Sequence, residues 1–225
     1  MSRSLVLFAA VGAAALVVAG VLIAVSLSGG TSKPQSTNAA LSGVGDALSI
    51  FGGIPQHGIV LGNPNAPVTV VEFADLQCPY CMHFTTDQLP AFVQQDVRTG
   101  KAKLEFRGLA FVGPDSLRGL RAANAAAQQN KLWTFIDILY SNQGTENTGW
   151  LSDAMVRRAA AAVPGLNVAK LVAALDSGPV NTLVQAAQRL ATTAGVNSTP
   201  TLFVNGTQVS SATAAALEQA VAAAS

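Results

Sequence analysis

Strands and helices alternate in the hydrophobic pattern of the chain from about residue 60 onward. Residues 68–73 (VTVVEF) are rich in β-branched side chains and residues 103–109 (KLEFRGL) alternate, so both are predicted strands. Between about residues 115 and 194, apolar residues recur every three to four positions, which is typical of helices on a core. Residues 201–209 (TLFVNGTQV) predict a hairpin that turns at Asn-Gly, and an Ala-rich helix follows.

The first 30 residues have a different pattern. Residues 5–27 carry no charge and are almost wholly apolar. As a helix they would span roughly 34 Å, enough for the ~30 Å hydrocarbon core of a bilayer. This run is longer than the apolar region of about 7–15 residues in a signal peptide. We therefore expect residues 1–30 to be a transmembrane anchor with a cytoplasmic N-terminus and an exported remainder, and a cleaved signal peptide is the alternative.

Residues 31–58 are rich in Ser, Gly, Thr, Asn and Pro, a composition typical of a flexible linker. Within it, residues 47–51 (ALSIF) are apolar enough to dock on the domain predicted over residues 59–225, and the pattern leaves docking and disorder both open. All 12 acidic residues and 12 of the 13 basic residues lie beyond residue 30, so the exported part is formally neutral. This balance argues against nucleic acid and against strongly charged substrates.

The two cysteines of the chain, Cys78 and Cys81, lie at the junction between a predicted strand and the next helix. Pro79 suits the first helical position, so Cys78 is the predicted N-cap residue, close to unpaired N–H groups and the positive end of the helix dipole. That environment favours the thiolate, the form that attacks a disulfide or leaves one. Cys81 lies one turn further along, where it can close a disulfide with Cys78 and is less exposed.

Two other roles for a Cys-x-x-Cys pair are disfavoured. A structural zinc site needs four ligands, and the chain has no second cysteine pair and only two histidines, His57 and His83. A purely structural disulfide that closes so short a loop would contribute only about 2 kcal/mol in the chain-entropy model. We therefore predict redox chemistry at the cysteines, with no metal and no bound cofactor.

Two motifs carry a family resemblance. Residues 62–81 (GNPNAPVTVVEFADLQCPYC) and residues 195–206 (GVNSTPTLFVNG) resemble the DsbA-like thiol:disulfide oxidoreductases of the thioredoxin superfamily, most of all the membrane-anchored bacterial branch. The similarity runs from about residue 59 to the C-terminus. It implies an α/β thioredoxin fold, a central mixed sheet flanked by helices, with a helical insertion at about residues 115–178.

The resemblance also implies roles for individual residues of the first motif. Cys78 and Cys81 would be the catalytic cysteines, and Pro79 and Tyr80 between them would tune the reduction potential. Glu72 would be the buried acid that exchanges protons with Cys81, and burial would raise its pKa. The alternation of the strand does not decide between this position and a solvent-facing one.

In the second motif, Pro200 would follow a cis peptide bond and face the cysteines, and the backbone of Thr199 would bind an extended substrate. The implied function is that of an extracytoplasmic dithiol oxidase acting on reduced exported proteins as a monomer. A membrane quinone reductase of the DsbB or vitamin K epoxide reductase-like type would re-oxidise it. A reductase or isomerase, or a non-catalytic thioredoxin-like binding module, is the alternative.

Overall fold

The computed structural model describes residues 40–224, which form a mixed sheet with helices packed against it. The strands are β1 (Gln56–His57), β2 (Val60–Leu61), β3 (Val68–Ala74), β4 (Ala102–Gly108), β5 (Thr201–Val204) and β6 (Thr207–Gln208). Their order across the sheet is β1-β2-β4-β3-β5-β6. Strand β3 runs parallel to β4 and antiparallel to β5. This is the predicted thioredoxin arrangement, with β3 at the centre.

The helices surround this sheet. They are α1 (Val44–Phe51), α2 (Pro79–His83), α3 (Leu89–Phe92), α4 (Pro114–Ala127), α5 (Leu132–Ser141), α6 (Asp153–Ala161), α7 (Val168–Ala174), α8 (Gly178–Thr193) and α9 (Ala214–Ala224). Helices α4 to α8 lie between β4 and β5 in the chain and include the predicted helical insertion. A π-helical segment, Phe84–Gln88, joins α2 to α3, and a second, Val93–Val97, follows α3.

Strand β3 buries residues on both of its faces, as expected for a central strand. Val68, Val70 and Ala74 alternate on one face and belong to the main apolar core, which also contains both cysteines. Phe73 lies on the other face, in a smaller cluster with Leu109 and Ala191. The loop that follows the carboxyl end of β3 and leads to Cys78 therefore packs against the main core.

Helix α1 lies within the stretch predicted as a flexible linker, so that prediction is wrong for its later part. Ala47 and Phe51 of this helix are buried, and the Phe51 ring lies 6.3 Å from the Trp133 ring of α5, centroid to centroid. The Arg98 guanidinium donates hydrogen bonds to the carbonyl oxygens of Gly52 and Ile50 and closes the other side. Burial of these apolar groups docks the helix, so the folded domain includes residues 44–51 in addition to the predicted residues 59–225.

The transmembrane anchor predicted over residues 1–30 lies outside the described residues, as does the first part of the linker. Within residues 40–224, the helices are too short or too polar to cross a bilayer. The anchor therefore remains a prediction from the sequence.

Candidate active site

Cys78 lies where the loop after β3 meets helix α2. Its backbone is extended, with φ −72° and ψ 120°, and Pro79 occupies the first turn of the helix, so the predicted N-cap position is confirmed. The Cys78 N–H donates to the Asp75 carbonyl oxygen at 3.0 Å, which closes a tight turn immediately before the helix. The sulfur is thereby fixed at the helix N-terminus.

The Cys78 sulfur is surrounded by hydrogen-bond donors. A hydrogen bond from the Cys81 thiol, followed by one with the Thr199 side chain, outweighs desolvation and lowers the pKa of Cys78 to about 6. The N–H groups of Tyr80 and Cys81 add to this, although neither reaches the geometry of a full capping hydrogen bond. Cys78 is therefore mainly a thiolate at neutral pH when the cysteines are reduced.

Cys81 has the opposite environment. The residue is fully buried, whereas Cys78 is 6% exposed, so the predicted difference in exposure is present but small. Burial, reinforced by the hydrogen bond to Cys78, raises the pKa of Cys81 well above its ordinary value. The Asp75 N–H donates to the Cys81 sulfur at 3.4 Å and partly offsets this. A charge on the reduced cysteines is therefore carried by Cys78.

Glu72 is fully buried and shares its face of β3 with Val70 and Ala74, on the side of the core that contains Cys81. Neither carboxyl oxygen has a hydrogen-bond partner, and desolvation raises the pKa of Glu72 to about 8. Burial first, and then the charges of Cys81 and Glu72, also raise the pKa of the Tyr140 hydroxyl, so Tyr140 lies within electrostatic reach of both groups. The structure thus shows that the Glu72 side chain faces the core, which the alternation of the strand does not decide.

The loop before β5 faces Cys78. The Thr199-Pro200 peptide bond is cis, as the resemblance implies, and both residues are half-buried. The Cys78 sulfur lies 3.3 Å from the Thr199 carbonyl oxygen, to which its protonated form donates a hydrogen bond. The Thr199 backbone, predicted to bind substrate, is therefore in direct contact with the predicted catalytic sulfur of Cys78.

Two exposed aromatic residues lie in segments that adjoin the cysteines. Tyr80, between the cysteines, is 75% exposed, and Phe111, in the loop after β4, is 42% exposed. The backbone N–H groups of Phe111 and Val112 both donate to one carboxyl oxygen of Asp75, at 2.7 and 2.9 Å. Because Asp75 also holds the Cys78 N–H, the Phe111 loop is coupled directly to the turn before the helix.

A set of polar contacts around the loop before Cys78 is not predicted from the sequence. Asp75 is fully buried, and its second carboxyl oxygen accepts the Gln77 N–H at 2.9 Å. The Gln77 side chain is fully buried too, and it exchanges hydrogen bonds with Asn147 and donates to Ser116. A buried loop needs such partners because each unpaired polar group is costly.

Comparison with known proteins agrees with this geometry. A thioredoxin family model matches residues 55–223, most of the chain. The chain belongs to the thioredoxin family. It is 32% identical over 149 residues to a probable disulfide bond formation protein D of Bacillus cereus, covering 65% of this chain and 69% of that protein. The disulfide bond formation protein D of Bacillus subtilis is 28% identical over 152 residues, covering 65% and 67% of the two chains.

Solved structures of this family superimpose on the described fold. The oxidised form of BdbD from Bacillus subtilis gives a TM-score of 0.69 at 25% identity, covering 76% of this chain and 96% of that one. A thioredoxin-like oxidoreductase from Silicibacter pomeroyi gives 0.62 at 31% identity, covering 80% and 96%. The predicted membership of the DsbA-like thiol:disulfide oxidoreductases is confirmed, and this family member is a protein disulfide oxidoreductase.

Proposed function

We propose that this protein is an extracytoplasmic dithiol oxidase that introduces disulfides into exported proteins through Cys78 and Cys81. The observation that carries the proposal is the opposite shift of the two thiol pKa values, lowered to about 6 at Cys78 and raised at Cys81. A thiolate stabilised in the reduced protein makes the disulfide form the stronger oxidant. The relatives named for disulfide bond formation support the same direction.

The first step forms a mixed disulfide. A client thiolate attacks the Cys78 sulfur of the oxidised protein, a client–Cys78 bond forms, and the Cys78–Cys81 bond breaks with its electron pair on Cys81. Cys81 then takes a proton, because its pKa is raised. Glu72, protonated at neutral pH because burial raises its pKa to about 8, is the buried acid that supplies this proton.

The second step releases the client. A second client thiolate attacks the client sulfur of the mixed disulfide, and Cys78 leaves as a thiolate. The donors around Cys78 stabilise this leaving group. The client loses two electrons and gains a disulfide, and the protein gains the two electrons as a reduced Cys78–Cys81 pair.

The clients we propose are unfolded or partly folded chains. Tyr80 and Phe111 present exposed aromatic surface beside the reactive sulfur, and unfolded chains offer apolar side chains to such a surface. The Thr199 backbone adjoins the same sulfur and suits an extended client segment. Pro79 fixes the start of the helix, and with Tyr80 it would set the reduction potential.

The location and the partner that we propose rest on the sequence of the first 30 residues and on the family resemblance. Residues 1–30 would anchor the domain at the outer face of the membrane, with a secreted form after signal cleavage as the alternative. A membrane quinone reductase of the DsbB or vitamin K epoxide reductase-like type would return the cysteines to the disulfide. The protein would act as a monomer, without a metal or a bound cofactor.

Stoichiometric oxidation of a reduced, unfolded client protein tests this proposal. The oxidised full-length protein should remove client thiols and become reduced itself. The Cys81→Ser variant, first converted to a Cys78–glutathione mixed disulfide, should exchange glutathione for a client thiol and accumulate client adducts through Cys78 on non-reducing gels. The Cys78→Ser variant is the control and should trap none. Client thiols that persist beside fully oxidised protein, or adducts that form through Cys81, would contradict the proposal.

A further inference from the structure

The chain segment that ends helix α5 contacts the loop before Cys78 through its side chains. The Tyr140 hydroxyl donates to the Asp75 carbonyl oxygen at 3.2 Å, and the Gln143 amide donates to two more carbonyl oxygens of the loop. Asn147 pairs with the Gln77 side chain. The helical insertion therefore holds the loop that carries the reactive sulfur, in addition to covering the core.

Gln143 makes the most direct of these contacts. Its amide nitrogen lies 2.9 Å from the Leu76 carbonyl oxygen and 3.2 Å from the Cys78 carbonyl oxygen. Because both partners accept, the amide nitrogen must be the donor in both hydrogen bonds. The Cys78 carbonyl oxygen also accepts the Met82 N–H at 3.1 Å, the first bond of the helical ladder. Gln143 thus joins the loop to the first turn of α2.

We infer that Gln143 is a positioning residue for thiol–disulfide exchange, whose amide fixes the Cys78 backbone so that the sulfur stays against Thr199 and the helix N-terminus. The amide donates to the Cys78 carbonyl oxygen rather than to the sulfur, so it acts on the sulfur through the backbone, by keeping it beside the donors that favour a negative charge there. That charge exists in the reduced protein and is absent from the disulfide. The Gln143 amide therefore favours the reduced form relative to the oxidised form.

The inference needs only the exchange chemistry of the family and does not depend on the proposed direction of electron flow. It also differs from a role in folding alone. Asp75 and Gln77 hold the loop through six further side-chain hydrogen bonds that do not involve Gln143. A variant without the Gln143 amide should therefore keep the fold while the Cys78 environment changes.

The matched experiment compares Gln143→Met with Gln129→Met in the full-length protein. Methionine retains an unbranched side chain of similar length and removes the donors. Gln129 makes the same kind of contact, since its amide donates to the Asn167 carbonyl oxygen and accepts the Asn167 N–H. This contact joins the segment just after α4 to the residue that caps the start of α7, and it is not part of the loop before Cys78. The measurements are the thiolate titration of Cys78 by ultraviolet absorbance, the equilibrium with glutathione and the thermal midpoint.

In Gln143→Met we expect the Cys78 titration to move to higher pH and the glutathione equilibrium to shift toward oxidised protein. The shift should be about threefold, the scale of one hydrogen bond, which is ~14 mV at about 30 mV per tenfold change. Gln129→Met should leave both measurements at the wild-type values. A shift no larger than that of Gln129→Met, a shift to lower pH, or a loss of thermal stability alone would overturn the inference. The wild-type potential separately tests the proposed function, so either can fail without the other.

Discussion

Two buried acids, Asp75 in the loop before Cys78 (the loop side) and Glu72 on β3 (the sheet side), differ in whether hydrogen-bond donors surround the carboxyl group. On the loop side, the Asp75 carboxylate accepts three backbone N–H groups and is fully paired. On the sheet side, the Glu72 carboxyl group is equally buried and has no partner. The donors around Asp75 fix the structure of the loop before Cys78, whereas Glu72, without donors, is a protonated acid on the face of β3 that packs on the same core as Cys81. Burial alone therefore does not determine the role of a buried acid, because the number of hydrogen-bond donors around the carboxyl group also affects its pKa.

The largest expected effect removes the paired acid. Asp75→Ala leaves three backbone N–H groups without their acceptor in a buried loop, so we expect a loss of about 3–5 kcal/mol in the free energy of unfolding. Urea unfolding of the variant and the wild type measures it. The control is Asp87→Ala, because Asp87 is exposed and pairs with His83 on the surface of the helix. A loss for Asp75→Ala no greater than that for the control would contradict the account of the loop side.

A smaller effect of opposite sign is expected for the unpaired acid. The pKa of Glu72 rises from 4.5 to about 8 on burial, so between these pH values the folded protein holds a proton that the unfolded chain has released. Stability therefore falls as pH rises from about 4.5 to about 8. Glu72→Gln removes this dependence and should stabilise the protein by about 2–4 kcal/mol at pH 7, with little gain at pH 4.

Unfolding in urea at several pH values measures this difference. Glu146→Gln is the control for the change from Glu to Gln, since Glu146 lies exposed in the loop after α5. If Glu72→Gln is less stable than the wild type at pH 7 and 8, then Glu72 is not a neutral, unpaired acid, and the difference between the two sides disappears.

The smallest expected effect concerns Phe111, which is exposed in the loop that Asp75 holds. Phe111→Ser should lower client oxidation about three- to tenfold relative to exchange with glutathione, because one buried aromatic contact is lost and glutathione is too small to use it. Leu48→Ser on α1 is the matched control, with 37% exposure against 42% for Phe111. The rate of client oxidation and the rate of exchange with glutathione are measured side by side for each variant, and their ratio is compared with that of the wild type. An equal change for both variants would mean that Phe111 does not bind clients.

The sheet and the order of the elements could be predicted from the sequence because they follow local patterns. The β-branched run of β3, the alternation of β4 and the Asn-Gly turn each report their own structure. The N-cap position of Cys78 could also be predicted, since it needs only Pro79 and the strand before it. The docking of α1 could not, because the apolar residues 47–51 find their partner in Trp133, far along the chain.

The polar contacts of the loop side were beyond prediction for the same reason. Gln143 and Asn147 lie in a short polar stretch after α5, and nothing in that stretch distinguishes them from ordinary surface residues. Their partners, Leu76 and Gln77, lie about 70 residues earlier. Tyr140 is fully buried, and the contact of its hydroxyl with Asp75, 65 residues earlier in the chain, depends on the fold.

The reduction potential of the Cys78–Cys81 pair tests the central proposal most directly. The full-length protein, kept soluble in detergent, would be equilibrated with glutathione buffers and its thiols counted. Strong oxidases of this chemistry lie near ~−120 mV and thioredoxin near ~−270 mV. Because the Cys78 thiolate is stabilised, we expect a value on the order of −100 to −180 mV, with the reduced protein the more stable form. A value near that of thioredoxin, with the oxidised protein more stable, would contradict the oxidase and favour a reductase.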